Sequence, residues 1–164
     1  MKIRTGFGYD VHAFAPGRAL WLGGIRIDHP LGLAGHSDAD VLIHAICDAL
    51  LGAAGLRDIG YHFPDTADEY RGIDSKILLA RTTALLRSAG YEPGNIDATV
   101  IAEEPKLSPY IPLMQQTLAE IMQIDPGDIS VKATTTEKLG FTGRREGIAA
   151  CAAVLILPAN GTKT

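Results

Sequence analysis

Apolar and polar positions along the chain fall into blocks of recognisable period, and these predict an order of strands and helices. Residues 2–14 are rich in aromatic and β-branched side chains and predict a strand. Residues 20–27 follow the Pro16-Gly17 turn and predict a second strand that pairs with the first as a hairpin. Over 38–54, Val41, Ile43, Ala45, Ile46, Leu50 and Leu51 form the broad apolar stripe of a core-facing helix, which Gly52 and Gly55 bring to an end. Ser37 and Asp40 stand at its start with the spacing of a capping box, with Asp in place of the usual Glu or Gln. Residues 58–72 contain Gly60, Pro64 and Gly72 and show little periodicity, so they predict a loop, long enough to suggest a function.

The pattern continues with a helix over 74–89, where Ser75 is a first-turn candidate and Gly90 the stop, and a strand over 96–102. A third helix over 111–122 is entered through Pro109 and Pro112, and a strand over 129–135 leads into a polar, Gly-punctuated segment at 136–147. The closing block, 148–157, is almost wholly apolar. A strand with one wet face alternates, and this one does not. Its small residues Ala149, Ala150, Ala152 and Ala153 suggest close packing on both faces. The fold class is therefore α/β, an α+β sandwich: one mixed sheet with helices on one face, the other face packed in an oligomer. With 164 residues, the chain reads as one domain spanning 1–164.

Composition narrows the choice of partners. The chain carries 15 Lys+Arg against 19 Asp+Glu, a net charge of −4, without the basic excess of a duplex-binding domain. A nucleic-acid partner is not expected, whereas a small anionic substrate remains open. Cys47 and Cys151 lie far apart in apolar stretches, which excludes a CxxC metal site and predicts two buried thiols. The N-terminus acquires Asp and His before any apolar signal core forms, and no apolar run nears the roughly 20 residues of a membrane span, so a cytoplasmic location without membrane contact is expected.

Candidate chemistry gathers in the first 44 residues. Asp10 and His12 are two apart on a predicted strand and share a face. His36, Ser37, Asp38 and Asp40 precede His44, which lies one helical turn after Asp40. A polar pair on a wet face, or a core histidine satisfied by a carboxylate, would look the same. Two such clusters in a chain of 5 histidines carry more weight. Two imidazoles and a carboxylate suit Zn²⁺ with a fourth position open to substrate, and the same set could hold Mn²⁺ or Co²⁺. Spacing alone does not separate His36, Asp38 and Asp40 from the ligands. His29 and His62, in polar loops, read as surface residues.

Several segments resemble one family: GYDVH at 8–12, GHSDADV at 35–41, DIG at 58–60, FPDT at 63–66, PKL at 105–107 and KATTTEKLGFTGRREGIA at 132–149. Together they are similar to the 2-C-methyl-D-erythritol 2,4-cyclodiphosphate synthases of the non-mevalonate isoprenoid pathway, over about residues 3–157. The resemblance implies a homotrimer with active sites between neighbouring subunits. It implies Zn²⁺ (or Mn²⁺ or Co²⁺) on Asp10, His12 and His44, with His36 and Thr135 orienting the reacting phosphates. Glu137 would help hold Mg²⁺ or Mn²⁺ on the substrate diphosphate. Ala102, Pro105, Lys106 and Leu107 would line a cytidine pocket, while Asp58, Ile59, Gly60, Phe63, Pro64 and Asp65 would contact the methylerythritol phosphate; Ser37 and Thr134 complete the substrate contacts. Phe141 and Arg144 would face an axial cavity that takes a prenyl diphosphate.

The implied reaction is intramolecular. The 2-phosphate of 4-diphosphocytidyl-2-C-methyl-D-erythritol 2-phosphate attacks the β-phosphate, expels CMP and closes a cyclic diphosphate. Such phosphoryl transfer depends on positioning and charge neutralisation rather than on a nucleophilic side chain. Two departures stand out: Glu103 replaces a common Gln, and Thr66-Ala67 replaces a common Thr-Asp. Two other readings compete. One is a metal-dependent phosphohydrolase with Asp38, Asp40 or Asp65 as base; the other is a trimeric sensor whose zinc is structural.

Overall fold

The computed structural model describes residues 3–159. Strand β1 (Arg4–Ala15) is followed by three short strands, β2 (Leu20–Leu22), β3 (Ile25–Ile27) and β4 (Gly32–Leu33). Helix α1 (Val41–Ala54), the short α2 (Ile59–His62) and α3 (Ser75–Ser88) lead to β5 (Tyr91–Ile101). Then come α4 (Ile111–Met122), β6 (Ile129–Thr134), the one-turn α5 (Gly140–Gly143) and β7 (Gly147–Pro158). Lys2, where the predicted first strand begins, lies outside the described residues.

Five strands make one mixed sheet in the order β4-β1-β7-β5-β6, with β5 and β6 parallel and the other pairs antiparallel. Its register places Val100 beside Ala150, Ala98 beside Ala152, Ile96 beside Val154, and Val131 beside Ala98. All of these are buried, so they form one continuous apolar face. Helix α1 crosses that face with ten of its fourteen residues buried, the mark of a helix covered nearly all round. The opposite face is bare: Phe7 is 69% exposed, Tyr9 52%, and Ile3 and Val11 are exposed beside them.

The small residues of β7 serve this layering unequally. Ala150 and Ala152 lie on the helix side, while Ala153 is exposed on the other. Opposite them, Gly8 and Gly6 let α1 approach the sheet backbone to backbone. A Cβ at Gly8 would stand 2.0 Å from the Ala45 carbonyl oxygen, and one at Gly6 would stand 2.0 Å from that of Ala49.

Several sequence expectations need correction. Residues 20–27 are two strands, a separate hairpin turned at Gly23-Gly24 with φ of 61° and 78°. The alternation of Leu20, Leu22, Ile25 and Ile27 runs on across the turn and hides it; β1 pairs instead with β4. The N-cap of α1 is Asp40, whose carboxylate accepts the Ile43 N–H, so no Ser37–Asp40 capping box forms. The same carboxylate accepts the Gly23 and Gly24 amides at 2.9 and 2.7 Å, pinning the hairpin tip to the helix start. Strand β5 begins at Tyr91 and not at 96, because Pro93 and Gly94 break the alternation where the ladder slips by a bulge. The 58–72 stretch contains α2 and a 3-10 turn, Asp68–Tyr70. His29 is no surface residue: its side chain is 8% exposed and stacks on Phe14 at 5.2 Å. Cys47 is buried but Cys151 is only half-buried, since it lies on the bare face. Among the described residues no helix is long and apolar enough to cross a membrane.

Candidate metal centre and active site

The α1–β1 seam brings three donors together. Asp10 and His12, on the helix-facing side of β1, meet His44 from the first turns of α1. His12 Nε2 lies 2.9 Å from Asp10 Oδ2, His44 Nδ1 lies 3.0 Å from the same oxygen, and the two nitrogens are 3.1 Å apart. Tetrahedral ligands about 2.0–2.1 Å from a zinc ion stand roughly 3.3 Å from one another, so the spacing suits such an ion.

Outer partners set the tautomers. His12 Nδ1–H donates to the Ala34 carbonyl at 2.6 Å, which leaves the Nε2 lone pair facing the cluster. His44 Nε2 lies 3.0 Å from Ser75 Oγ and 3.2 Å from Ser37 Oγ, which leaves its Nδ1 lone pair facing inward. Two imidazole lone pairs and a carboxylate oxygen then converge, an arrangement that calls for a cation. Without one, protons take that role. Burial alone would push the Asp10 carboxyl up, but hydrogen bonds from His12 and His44 outweigh it and hold Asp10 far below the usual carboxylate range. Burial likewise opposes charging His12, and the bond to Asp10 overcomes it and raises the imidazole above its ordinary 6.5. Asp10, His12 and His44 thus form a group that could hold a metal ion.

Both histidines line a cavity of about 450 Å³ with His36, Ser37, Ile59, Gly60, Phe63 and Asp65, and with Tyr70, Ile73 and Leu78, which the sequence did not suggest. The buried Nε2 of His36 has no hydrogen-bond partner among the described residues. One wall depends on two carboxylates: Asp48 accepts the Ile59 amide at 2.8 Å, and Asp58 caps the Tyr61 amide at 2.8 Å. Another depends on Arg18, which donates to the Gly35 and Ser37 carbonyls on either side of His36. Pro64 is half-buried and leads into the turn that its carbonyl closes with the Ala67 amide. Asp38 and Asp40 fall outside the donor cluster. Asp38 is bonded to Ser75, and Asp40 is wholly buried at the helix cap.

The remaining sequence candidates lie elsewhere. Val11, Ala149, Ile101 and Thr134 stand in line across four strands, so Thr134 is three strand spacings, roughly 14 Å, from β1. Ala102 donates its amide to the Thr134 carbonyl, which joins the 102–107 loop to the 134–138 turn. Thr135 Oγ1 donates to Glu137 Oε1 at 2.9 Å, and Glu137 and Lys138 both have positive φ, 53° and 65°. Glu103 holds this turn, its Oε1 accepting the Thr136 and Lys138 amides at 3.0 and 3.1 Å. The Lys138 N–H is the main reason its carboxyl titrates below the usual range. In this second group Leu107 is buried, Pro105 half-buried and Lys106 exposed. Phe141 and Arg144 are exposed, with Arg144 paired to Glu146 at 2.8 Å. Within one chain the two groups of candidate residues therefore stand apart.

The chain is thus a mixed α/β sandwich with an Asp-His-His group, able to hold a metal ion, beside a cavity. The YgbB family pattern matches residues 3–157, and the chain belongs to that family. A protein of Parabacteroides distasonis named 2-C-methyl-D-erythritol 2,4-cyclodiphosphate synthase is 77% identical over 156 residues, 95% of this chain and 97% of that protein. A protein of the same name from Porphyromonas gingivalis is 67% identical over 157 residues, 96% of this chain and 97% of its own length. Among solved structures, the Plasmodium falciparum IspF–CDP complex superposes with a TM-score of 0.84 at 37% identity, covering 96% of this chain and 97% of that one. The bifunctional IspDF of Campylobacter jejuni gives 0.95 at 45% identity; 99% of this chain matches 44% of that longer protein.

Proposed function

We propose that this chain is a cyclising phosphorus-oxygen lyase, converting 4-diphosphocytidyl-2-C-methyl-D-erythritol 2-phosphate to 2-C-methyl-D-erythritol 2,4-cyclodiphosphate with release of CMP. The convergence of Asp10, His12 and His44 beside the cavity of His36, Ser37 and Phe63 carries this reading. It acts as one catalytic domain in non-mevalonate isoprenoid synthesis in the cytoplasm. When bound, Zn²⁺ (or Mn²⁺ or Co²⁺) supplies positive charge and a Lewis-acid site for a phosphate oxygen.

The chain's own residues do the positioning. His36 offers its unpartnered Nε2 to a substrate phosphate, and Ser37, Asp58, Ile59, Gly60, Phe63, Pro64 and Asp65 seat the methylerythritol phosphate. Thr134, Thr135 and Glu137, the last with Mg²⁺ or Mn²⁺, take the diphosphate, and Ala102, Pro105, Lys106 and Leu107 take the cytidine. In a homotrimer these two groups would come from different subunits, a reading supported by the three strand spacings that separate them within one chain. The exposed apolar face of β1 is the surface such an assembly would cover. Phe141 and Arg144 then face its axis, where a prenyl diphosphate would bind.

The hydrolase reading loses support at its bases: Asp38 and Asp40 are engaged in hydrogen bonds, which leaves Asp65. The structural-zinc reading needs four protein ligands, whereas among the described residues this group has three. The test is turnover with zinc and magnesium, followed by ³¹P NMR. Cyclic diphosphate plus CMP is expected, and an open-chain product would reject cyclisation. His44→Ala is expected to lose at least about 100-fold in turnover; full activity would reject a catalytic metal.

A further inference from the structure

Behind the donor cluster, three backbone segments are tied through Asp38 and Ser75. Ser75 Oγ lies 3.0 Å from His44 Nε2 and donates its own hydrogen to Asp38 Oδ1 at 2.5 Å. The Ser75 amide donates to Asp38 Oδ2 at 3.0 Å. Two backbone bonds continue the same zip: Asp38 N–H to the Ile73 carbonyl at 3.1 Å, and Gly72 N–H to the His36 carbonyl at 2.7 Å. Ser75 is wholly buried, so its hydroxyl has no water to fall back on. Tyr70 and Ile73, on the same segment, line the same cavity as His36.

We propose that Asp38 and Ser75 form a relay to His44 with two consequences. The relay fixes which imidazole nitrogen faces the metal, and it couples filling of the metal site to the stiffness of the cavity wall at 72–75. The chemistry is directional. An ionised Asp38 accepts the Ser75 O–H, so the Ser75 oxygen is left as an acceptor and His44 must present Nε2–H to it. The inward Nδ1, 3.0 Å from Asp10 Oδ2, is then the nitrogen left to meet an ion. Binding at Nδ1 draws electron density from the ring, which strengthens the outward Nε2–H···Oγ bond and, through Asp38, the bonds that hold 72–75. Ser37 Oγ, at 3.2 Å, is a second acceptor for the same N–H and shares the load. Asp38 and Ser75 are positioning residues, acting through His44; neither is among the residues that line the cavity.

This inference rests on the metal reading, and the experiment separates the two. Zinc affinity is measured by chelator competition for the wild type, His44→Ala, Ser75→Ala, Asp38→Asn and the Ser37→Ala/Ser75→Ala pair, with amide hydrogen exchange followed with and without zinc. Ser75→Ala is expected to weaken zinc about tenfold and the double variant more, within the range outer-shell partners of metal-binding histidines usually show. In the wild type, zinc should slow exchange at Gly72, Ile73 and Ser75, and that slowing should vanish in Ser75→Ala and in Asp38→Asn. ¹⁵N NMR of the zinc-loaded wild type should show His44 protonated at Nε2. Zinc affinity of Ser75→Ala and Asp38→Asn within twofold of wild type, with the 72–75 response intact, would overturn the relay while leaving the metal site standing. A His44→Ala chain that binds zinc as well as wild type would overturn the metal site itself. If Ser75→Ala fails to fold, Asp38→Asn, on the more exposed partner, and the NMR tautomer decide the matter.

Discussion

Asp10, Asp38 and Asp40 share one side chain and have three roles, set by what surrounds each carboxylate. Asp40 is buried against three amide donors at the start of α1. Asp40→Ala removes a cap worth about 1 kcal/mol and strands two further buried amides at about 1 kcal/mol each, roughly 3 kcal/mol together. Calorimetry should show a Tm lower by roughly 6–12 °C; an unchanged Tm would mean water replaces the carboxylate. Asp10 and His12 give a pH signature in the metal-free protein. Asp10 titrates below its ordinary value, so its stabilisation is present above the pKa of a free aspartate and is lost as pH falls through the lower folded value. His12 titrates above 6.5, so its contribution is complete below that pH and is lost as pH rises through the folded value. Zinc needs that imidazole deprotonated. The rise in Tm on adding zinc is therefore expected to be larger near pH 8 than near pH 6, and equal rises would remove His12 from the ligand set.

The decisive element contact is α1 lying directly on β1. Gly6 and Gly8 on the strand and Ala45 and Ala49 on the helix leave the backbones in contact, and this spacing puts His44 within reach of Asp10 and His12. A methyl at Gly8 has nowhere to go, because the obstruction is helix backbone and not a side chain that could rotate away. Gly8→Ala is expected to destabilise the fold by about 3 kcal/mol and to weaken zinc binding by pushing α1 off the sheet. Urea unfolding and zinc titration measure the two effects, and wild-type values for both would show that the seam yields. The hairpin β2–β3 plays a supporting part, since its glycine amides and the α1 N-terminus share one carboxylate.

At the scale of the molecule, the bare sheet face and the separation of the Asp10–His12–His44 group from the Thr135–Glu137 turn are the two features that the proposed trimer would reconcile. Phe7 stands 69% exposed in the single chain, an unusual position for a large aromatic side chain. In the proposed trimer Phe7→Glu would place a charge between subunits, and it is expected to yield monomers in sedimentation analysis, with turnover lost. Zinc binding should persist, because all three candidate ligands belong to one chain. Loss of zinc along with the trimer would show that the metal site too depends on a neighbour.

Local periodicity determined much of this protein. Helices α1, α3 and α4 and the long strands β1, β5, β6 and β7 were legible in outline, unlike the short β2, β3 and β4, because burial repeats every three to four residues in a helix and every two in a strand, whatever lies on the other side. The family motifs named Asp10, His12 and His44, and the small residues of β7 announced close packing on both faces, of which this chain shows the helix side. Tertiary structure decided the rest, because it depended on partners distant in the chain. Pairing of β1 with β4 and β7, and not with 20–27, is set by strands that meet only after folding. The separate roles of Asp38 and Asp40 come from Ser75 and from Gly23-Gly24, 37 and 16–17 residues away. The distance between the zinc-type donors and the Thr135–Glu137 turn is likewise a property of sheet order. A sequence records which side chains are present and how they alternate; only the fold sets which donors share a point in space.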